Sequence, residues 1–158
     1  MPLWQFFHPP SAFKTAEEKQ AVVKDVTNLY TSWGLPAFYV VVQFFPLTVD
    51  ANNANAFVGG EPATNFVRII VHHLAFQSMG NLAAHKRISS NIDTILKPHV
   101  ADKGLDWEYH VAESPPTMWK INGLVPPVMG NPAVKIWAAD NRPSPYDEDA
   151  VGKELEGK

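Results

Sequence analysis

The chain has no cysteine. Disulfides, thiol catalysis and thiolate metal sites are excluded with it, and the composition fits a reducing compartment. It also lacks an excess of basic charge: 13 Lys and Arg stand against 16 Asp and Glu, for a net charge of −3. No basic stripe runs through it, which disfavours nucleic acid as a partner. No apolar run reaches the roughly 20 residues of a membrane span. The start of the chain has neither the basic nor the apolar region of a secretory signal. A cytoplasmic protein with no membrane partner is expected.

Chemical motifs are also sparse. The histidines show no metal-ligand spacing. The stretch "DANNANAFVGG" lacks the central glycine and closing glutamate of a calcium loop. There is no Gly-x-Ser-x-Gly elbow, and Gly59-Gly60 alone is no phosphate loop. No metal and no cofactor are expected.

What is present is a chain of 158 residues, 46% apolar, long enough for one domain with one core. Fourteen prolines punctuate it, clustered at 9–10, 115–116, 126–127 and near the end. "PLWQFFH" reads as a strand stopped by Pro9-Pro10. Thr15 opens Thr-Ala-Glu-Glu, a capping box, and Val22, Val26, Leu29, Tyr30 and Trp33 then mark one helical face. Gly34 ends that helix. "AFYVVVQFFPL" is apolar on both parities and reads as a strand buried on both faces. Strand, helix and strand over about 2–45 make a βαβ unit with parallel strands.

The pattern recurs over about 65–112. "NAFVGG" reads as a short strand or hairpin ending in a glycine turn, and "NFVRIIVHHLA" as a strong strand. A helix begins near Asn81 with Ile88, Ile92, Ile95, Leu96 and His99 on one face, ended or kinked by Pro98. "LDWEYHV" alternates as a fourth strand. The expected fold is α+β: two tandem βαβ units forming a four-stranded sheet with two helices on one face. An apolar sheet face without helices needs a cover, so a symmetric homo-oligomer is expected. One domain spans 1–139, with an irregular wrapping arm over 113–139. Residues 140–158 are expected to form a polar flexible tail.

Pro2 heads the first strand. Proline is tolerated at a strand's first residue, so the position needs no function. An initiator Met before proline is normally removed, however, and Pro2 would then carry a free secondary amine. α-Amines titrate near 7.7–8.0, and burial lowers that value. Such an amine serves as a base, an acid or a nucleophile.

Pro2, the "TAEEKQAVVKDVTNLY" helix, "NAFVGG", "FVRIIVHHLA" and "MWKINGLVPP" together span residues 2 to 127. In order and spacing they resemble the tautomerase superfamily. The nearest subgroup is that of cis-3-chloroacrylic acid dehalogenase and fungal proteins of the oxalocrotonate tautomerase type. The resemblance implies an amino-terminal catalytic proline and a homotrimer with sites near subunit boundaries. Departures are equally specific. Tyr30 stands where the dehalogenases carry a histidine, Phe76 and Met79 where they carry two carboxylate-binding arginines, and Ile121 where they carry a water-activating glutamate. Their assisting tyrosine corresponds to Tyr109 or His110. Dehalogenase or hydratase activity is therefore not expected.

The expected activity is a tautomerase or isomerase that uses Pro2 as general base or acid on a small enol, keto acid or related carbonyl compound. Two alternatives stand beside it. One is an isomerase or cyclase of an apolar fungal metabolite, favoured by five tryptophans and nine phenylalanines. The other is a non-catalytic trimeric scaffold. Candidate substrate-binding residues are Tyr30, Arg68, His72, Trp119 and Asn122. Each has a structural alternative. Tyr30 packs in the core or donates a hydrogen bond. Arg68 forms an intersubunit salt bridge or binds an anion. His72, on the same strand parity as Arg68, and His73, on the opposite parity, are each a core or interface group or an acid–base. Trp119 anchors the arm or roofs a pocket. Asn122 makes an Asn-Gly turn or binds a carbonyl.

Overall fold

The computed structural model describes residues 2–50, 52–75, 77–78 and 80–148. Phe76 and Met79, singled out above, lie outside that set, as does most of the expected tail. Among the described residues the elements run β1 (Pro2–His8), α1 (Ala16–Ser32), β2 (Val41–Pro46), β3 (Phe57–Val58), β4 (Glu61–Pro62), β5 (Phe66–His73), α2 (Leu82–Leu96), β6 (Asp106–Glu113) and α3 (Pro132–Asp140). The main sheet has the order β2-β1-β5-β6. β1 and β2 are parallel, β5 and β6 are parallel, and the two βαβ units meet antiparallel at β1 and β5.

Alternation sets the two faces of the sheet. Pro2, Trp4, Phe6 and His8 of β1 are buried, as are Val67, Ile69, Val71 and His73 of β5. α1 lays Val22, Val26 and Tyr30 on this side, and α2 lays Ile88, Ile92 and Leu96. Each is an i, i+4, i+8 stripe, and burial of each aliphatic side chain contributes about 1.5–3 kcal/mol. The other face carries Leu3, Gln5 and Phe7 beside Arg68, Ile70 and His72, all half-buried in the single chain.

Local chemistry places the helices. Thr15 Oγ1 accepts from the Glu18 amide at 3.2 Å, and the Glu18 carboxylate accepts from the Thr15 amide at 3.4 Å, closing the capping box. Asn81 Oδ1 caps α2 by accepting from the Ala83 and Ala84 amides. α2 stops at Leu96, and His99 Nε2 lies 2.8 Å from Asp25, joining the end of α2 to α1.

Three expectations need correction. The second strand begins only at Val41, because residues 37–39 form a 3₁₀ turn after Pro36. It is an edge strand, so Gln43, Phe45 and Pro46 are exposed rather than covered on both faces. A third helix, α3, interrupts the region read as irregular; Asn131 caps it and Pro132 occupies its first turn. The start of the expected tail is tied down: Trp137 Nε1–H donates to the Ser144 carbonyl at 2.9 Å, and the Tyr146 hydroxyl donates to the Val125 carbonyl at 2.7 Å. The reason is aromatic burial, since Trp137 packs edge-on against both Tyr39 and Tyr146.

Candidate active site

The site forms where the start of β1 meets the end of β5. Antiparallel register sets Pro2 opposite His73. The last turn of α1 brings in Tyr30, followed by Trp33 and Leu35, and Ala75 follows β5. These six residues surround a space of about 10 Å³, enough for about one water.

A buried chain of hydrogen bonds fixes its wall. Trp4 Nε1–H donates to the Tyr30 hydroxyl oxygen at 3.0 Å. That hydroxyl lies 2.8 Å from His73 Nε2, the donor being set by the imidazole tautomer. The Tyr30 ring stands edge-on to both His73 and Trp33. Burial pushes the Tyr30 phenol well above its ordinary range. Burial also lowers His73 to about 4, against a smaller opposing pull from the Glu113 carboxylate. Both groups are therefore neutral at pH 7. Among the described residues the lining side chains carry no formal charge, and an amine in such surroundings favours its neutral form.

Glu113 also positions this end of the sheet. Its carboxylate accepts from the Ser78 amide at 2.9 and 3.0 Å and from the Ser78 hydroxyl at 3.1 Å, tying the segment after β5 to the end of β6.

Of the residues singled out from the sequence, Pro2 and Tyr30 come together here. Arg68 does not join them. It lies on the opposite sheet face, ion-paired with Glu108 of the same chain, with Nη2 3.1 Å from His110 Nδ1. His72 is on that same face, in register with Leu3 and Ala112. Trp119 is buried against Tyr39, ring centroids 5.0 Å apart, and lines the arm rather than the Pro2 pocket. Asn122 is exposed at a positive φ of 50°, followed by Gly123 at 86°, in a turn closed by the Ile121–Leu124 bridge. Tyr109 donates to Asp93 at 3.0 Å on the α2 side of β6. The sequence offers His73 as an acid–base without placing it beside Pro2, and it does not point to Trp33, Leu35 or Ala75. Strand parity sets His73 opposite to Arg68; the β1–β5 register sets it beside Pro2.

Among the described residues no cluster of three His, Cys, Asp or Glu could hold a metal, and no helix is long and apolar enough to cross a membrane.

A search of curated proteins found no match. Solved structures do match. RhCC from Rhodococcus jostii RHA1 shares 36% identity, covers 91% of this chain and 99% of its own, and superposes with a TM-score of 0.81. A protein of the thermophilic fungus Aspergillus fumigatus, described as a probable enzyme, shares 40% identity over 92% of this chain and 98% of its own, with a TM-score of 0.82. N1, a member of the cis-3-chloroacrylic acid dehalogenase family, shares the fold at 20% identity over 99% of both chains, with a TM-score of 0.57. Residues 1–142 match the family described as "Putative oxalocrotonate tautomerase enzyme". The strand that starts at Pro2, the paired βαβ units and this match over most of the sequence agree: the chain belongs to that oxalocrotonate tautomerase family of the tautomerase superfamily.

Proposed function

We propose that the protein is a tautomerase whose base is the secondary amine of Pro2, acting on an enol or keto compound after removal of Met1. The observation that carries this reading is the uncharged, buried wall around Pro2 formed by Tyr30 and His73. A neutral Pro2 nitrogen takes the proton from an enol oxygen and returns it to carbon. In the Nε2–H tautomer of His73, the Tyr30 oxygen accepts from both Trp4 and His73. Its own O–H is then left to donate toward the oxygen on which negative charge develops. Cleavage of the preceding peptide bond creates the amine and removes the group attached to it.

The apolar lining from Trp33, Leu35 and Ala75 favours a substrate with an apolar body, which also supports isomerisation of an apolar metabolite by the same amine. Ile121, where the dehalogenases carry their water-activating glutamate, is half-buried beside a turn and offers no base for hydration. The uncovered sheet face supports a homotrimer built on Leu3, Phe7 and Ile70.

The test is ketonisation of phenylenolpyruvate by the mature protein, its intact mass showing loss of Met1, compared with Pro2→Ala. The wild-type rate is expected to rise with pH as the amine loses its proton, and the variant to lose on the order of 10²–10⁴-fold. Equal rates in both proteins, or none above buffer, overturn the reading and leave the metabolite isomerase or the scaffold.

A further inference from the structure

Among the described residues, no charged side chain lines the Pro2 pocket. Its lining is Pro2, Tyr30, Trp33, Leu35, His73 and Ala75, and His73 is held neutral by burial. Its space of about 10 Å³ admits only the reacting end of a molecule. The rest of a substrate must lie outside it.

Trp33 is a wall of two spaces. Beyond the Pro2 pocket it lines a second cleft of about 220 Å³, completed by Arg87, Ile88 and Met129. A cavity of roughly 150 Å³ is enough for a benzene ring. Three of these four residues are apolar, and the fourth is Arg87, exposed on α2. Among the described residues Arg87 has no ion pair and no side-chain hydrogen bond, unlike Arg68, which Glu108 neutralises. An apolar cleft with one unpaired cation in its wall suits an apolar body that ends in an anion. Guanidinium matches a carboxylate with two parallel N–H donors.

We propose that Arg87 anchors the anionic end of the Pro2 substrate. The substrate class is then an elongate, apolar carbonyl or enol compound whose carboxylate lies at the end remote from the reacting carbon. Trp33 covers the span between. This assignment rests on the Pro2 reading, and it moves the anion anchor from the segment after β5, where the dehalogenases carry their arginines, to the middle of α2.

Binding tests it independently of turnover. Calorimetric titration compares 4-carboxycinnamate with cinnamate, which differ only in the remote carboxylate. Wild type is expected to bind the dicarboxylate at least tenfold more tightly. Arg87→Gln should erase that preference, Arg87→Lys should keep part of it, and Pro2→Ala should keep it whole. In turnover, Arg87→Gln should raise KM for 4-carboxyphenylenolpyruvate at least tenfold with kcat within twofold, leaving phenylenolpyruvate unaffected. Equal affinity for the two ligands, no binding of either, or a preference that survives Arg87→Gln overturns the proposal. A preference that depends on Arg87 in a protein whose turnover ignores Pro2→Ala retains the anion site and removes the Pro2 chemistry.

Discussion

A histidine held neutral inside a protein makes stability depend on pH in one direction. His73 is 2% exposed and titrates at about 4 when folded, below the 6.5 of an unhindered imidazole. Between those values the unfolded chain binds a proton that the folded chain refuses. Stability is therefore full above pH 6.5 and falls as pH drops to about 4, by at most about 3 kcal/mol from this group. His8, also lowered chiefly by burial, acts in the same sense. Urea unfolding between pH 7.5 and 4.5 should show the loss, and His73→Gln should flatten the slope by the His73 share. An unchanged slope in the variant would remove His73 as its source. At this scale the sequence showed Pro2 and Tyr30, because each has a local mark: a residue type at the chain start, and a place in a helical stripe. His73 lacked one. Its place opposite Pro2 comes from the register of two strands far apart in sequence, and parity alone could only name its side of the sheet. Arg87 was hidden for the opposite reason, as an ordinary charge on a solvated helix face.

The elements differ in how openly the sequence declares them. α1 announces itself through Thr15, Glu18 and the Val22-Val26-Tyr30 stripe, and the structure keeps each of these. α3 has start signals too, in Asn131 and Pro132, but it is nine residues long and follows a run of prolines and glycines. An isolated helix of that length is not stable in water, so packing must hold it. Trp137 supplies that packing: it is fully buried, touches Phe38, Tyr39 and Tyr146, and hydrogen-bonds Ser144. Trp137→Ala is expected to cost about 3–5 kcal/mol, read as a lowered urea midpoint. A loss below about 1 kcal/mol would mean that α3 is held elsewhere. The edge position of β2 was illegible because apolar residues on both parities look the same whether a second strand or a second molecule covers them.

For the whole molecule, the proposed trimer rests on the open sheet face. Leu3, Phe7 and Ile70 lie there with the Gln5–Gln43 hydrogen bond and the Arg68–Glu108 ion pair, so the face is mixed rather than oily. Apolar side chains ringed by satisfied polar groups are the composition of an interface. Sedimentation velocity is expected to give a trimer for wild type and single chains for Ile70→Asp, which sets a charge in the middle of the face. A wild-type protein that sediments as one chain would refute the assembly.

The strand order reads the same from either edge of the sheet: parallel pairs outside, an antiparallel seam within. Such a layout is a rotational pseudo-dyad, in which the start of β5 is the counterpart of the start of β1. The nitrogen of Phe66 is locked in a peptide bond to Asn65, whereas that of Pro2 can be released by proteolysis. The scaffold thus has two matching halves, and only the first can present the amine proposed above. In a single polypeptide with two such halves only one strand can begin at a free amine, and the matching half supplies a side chain, His73, that faces it.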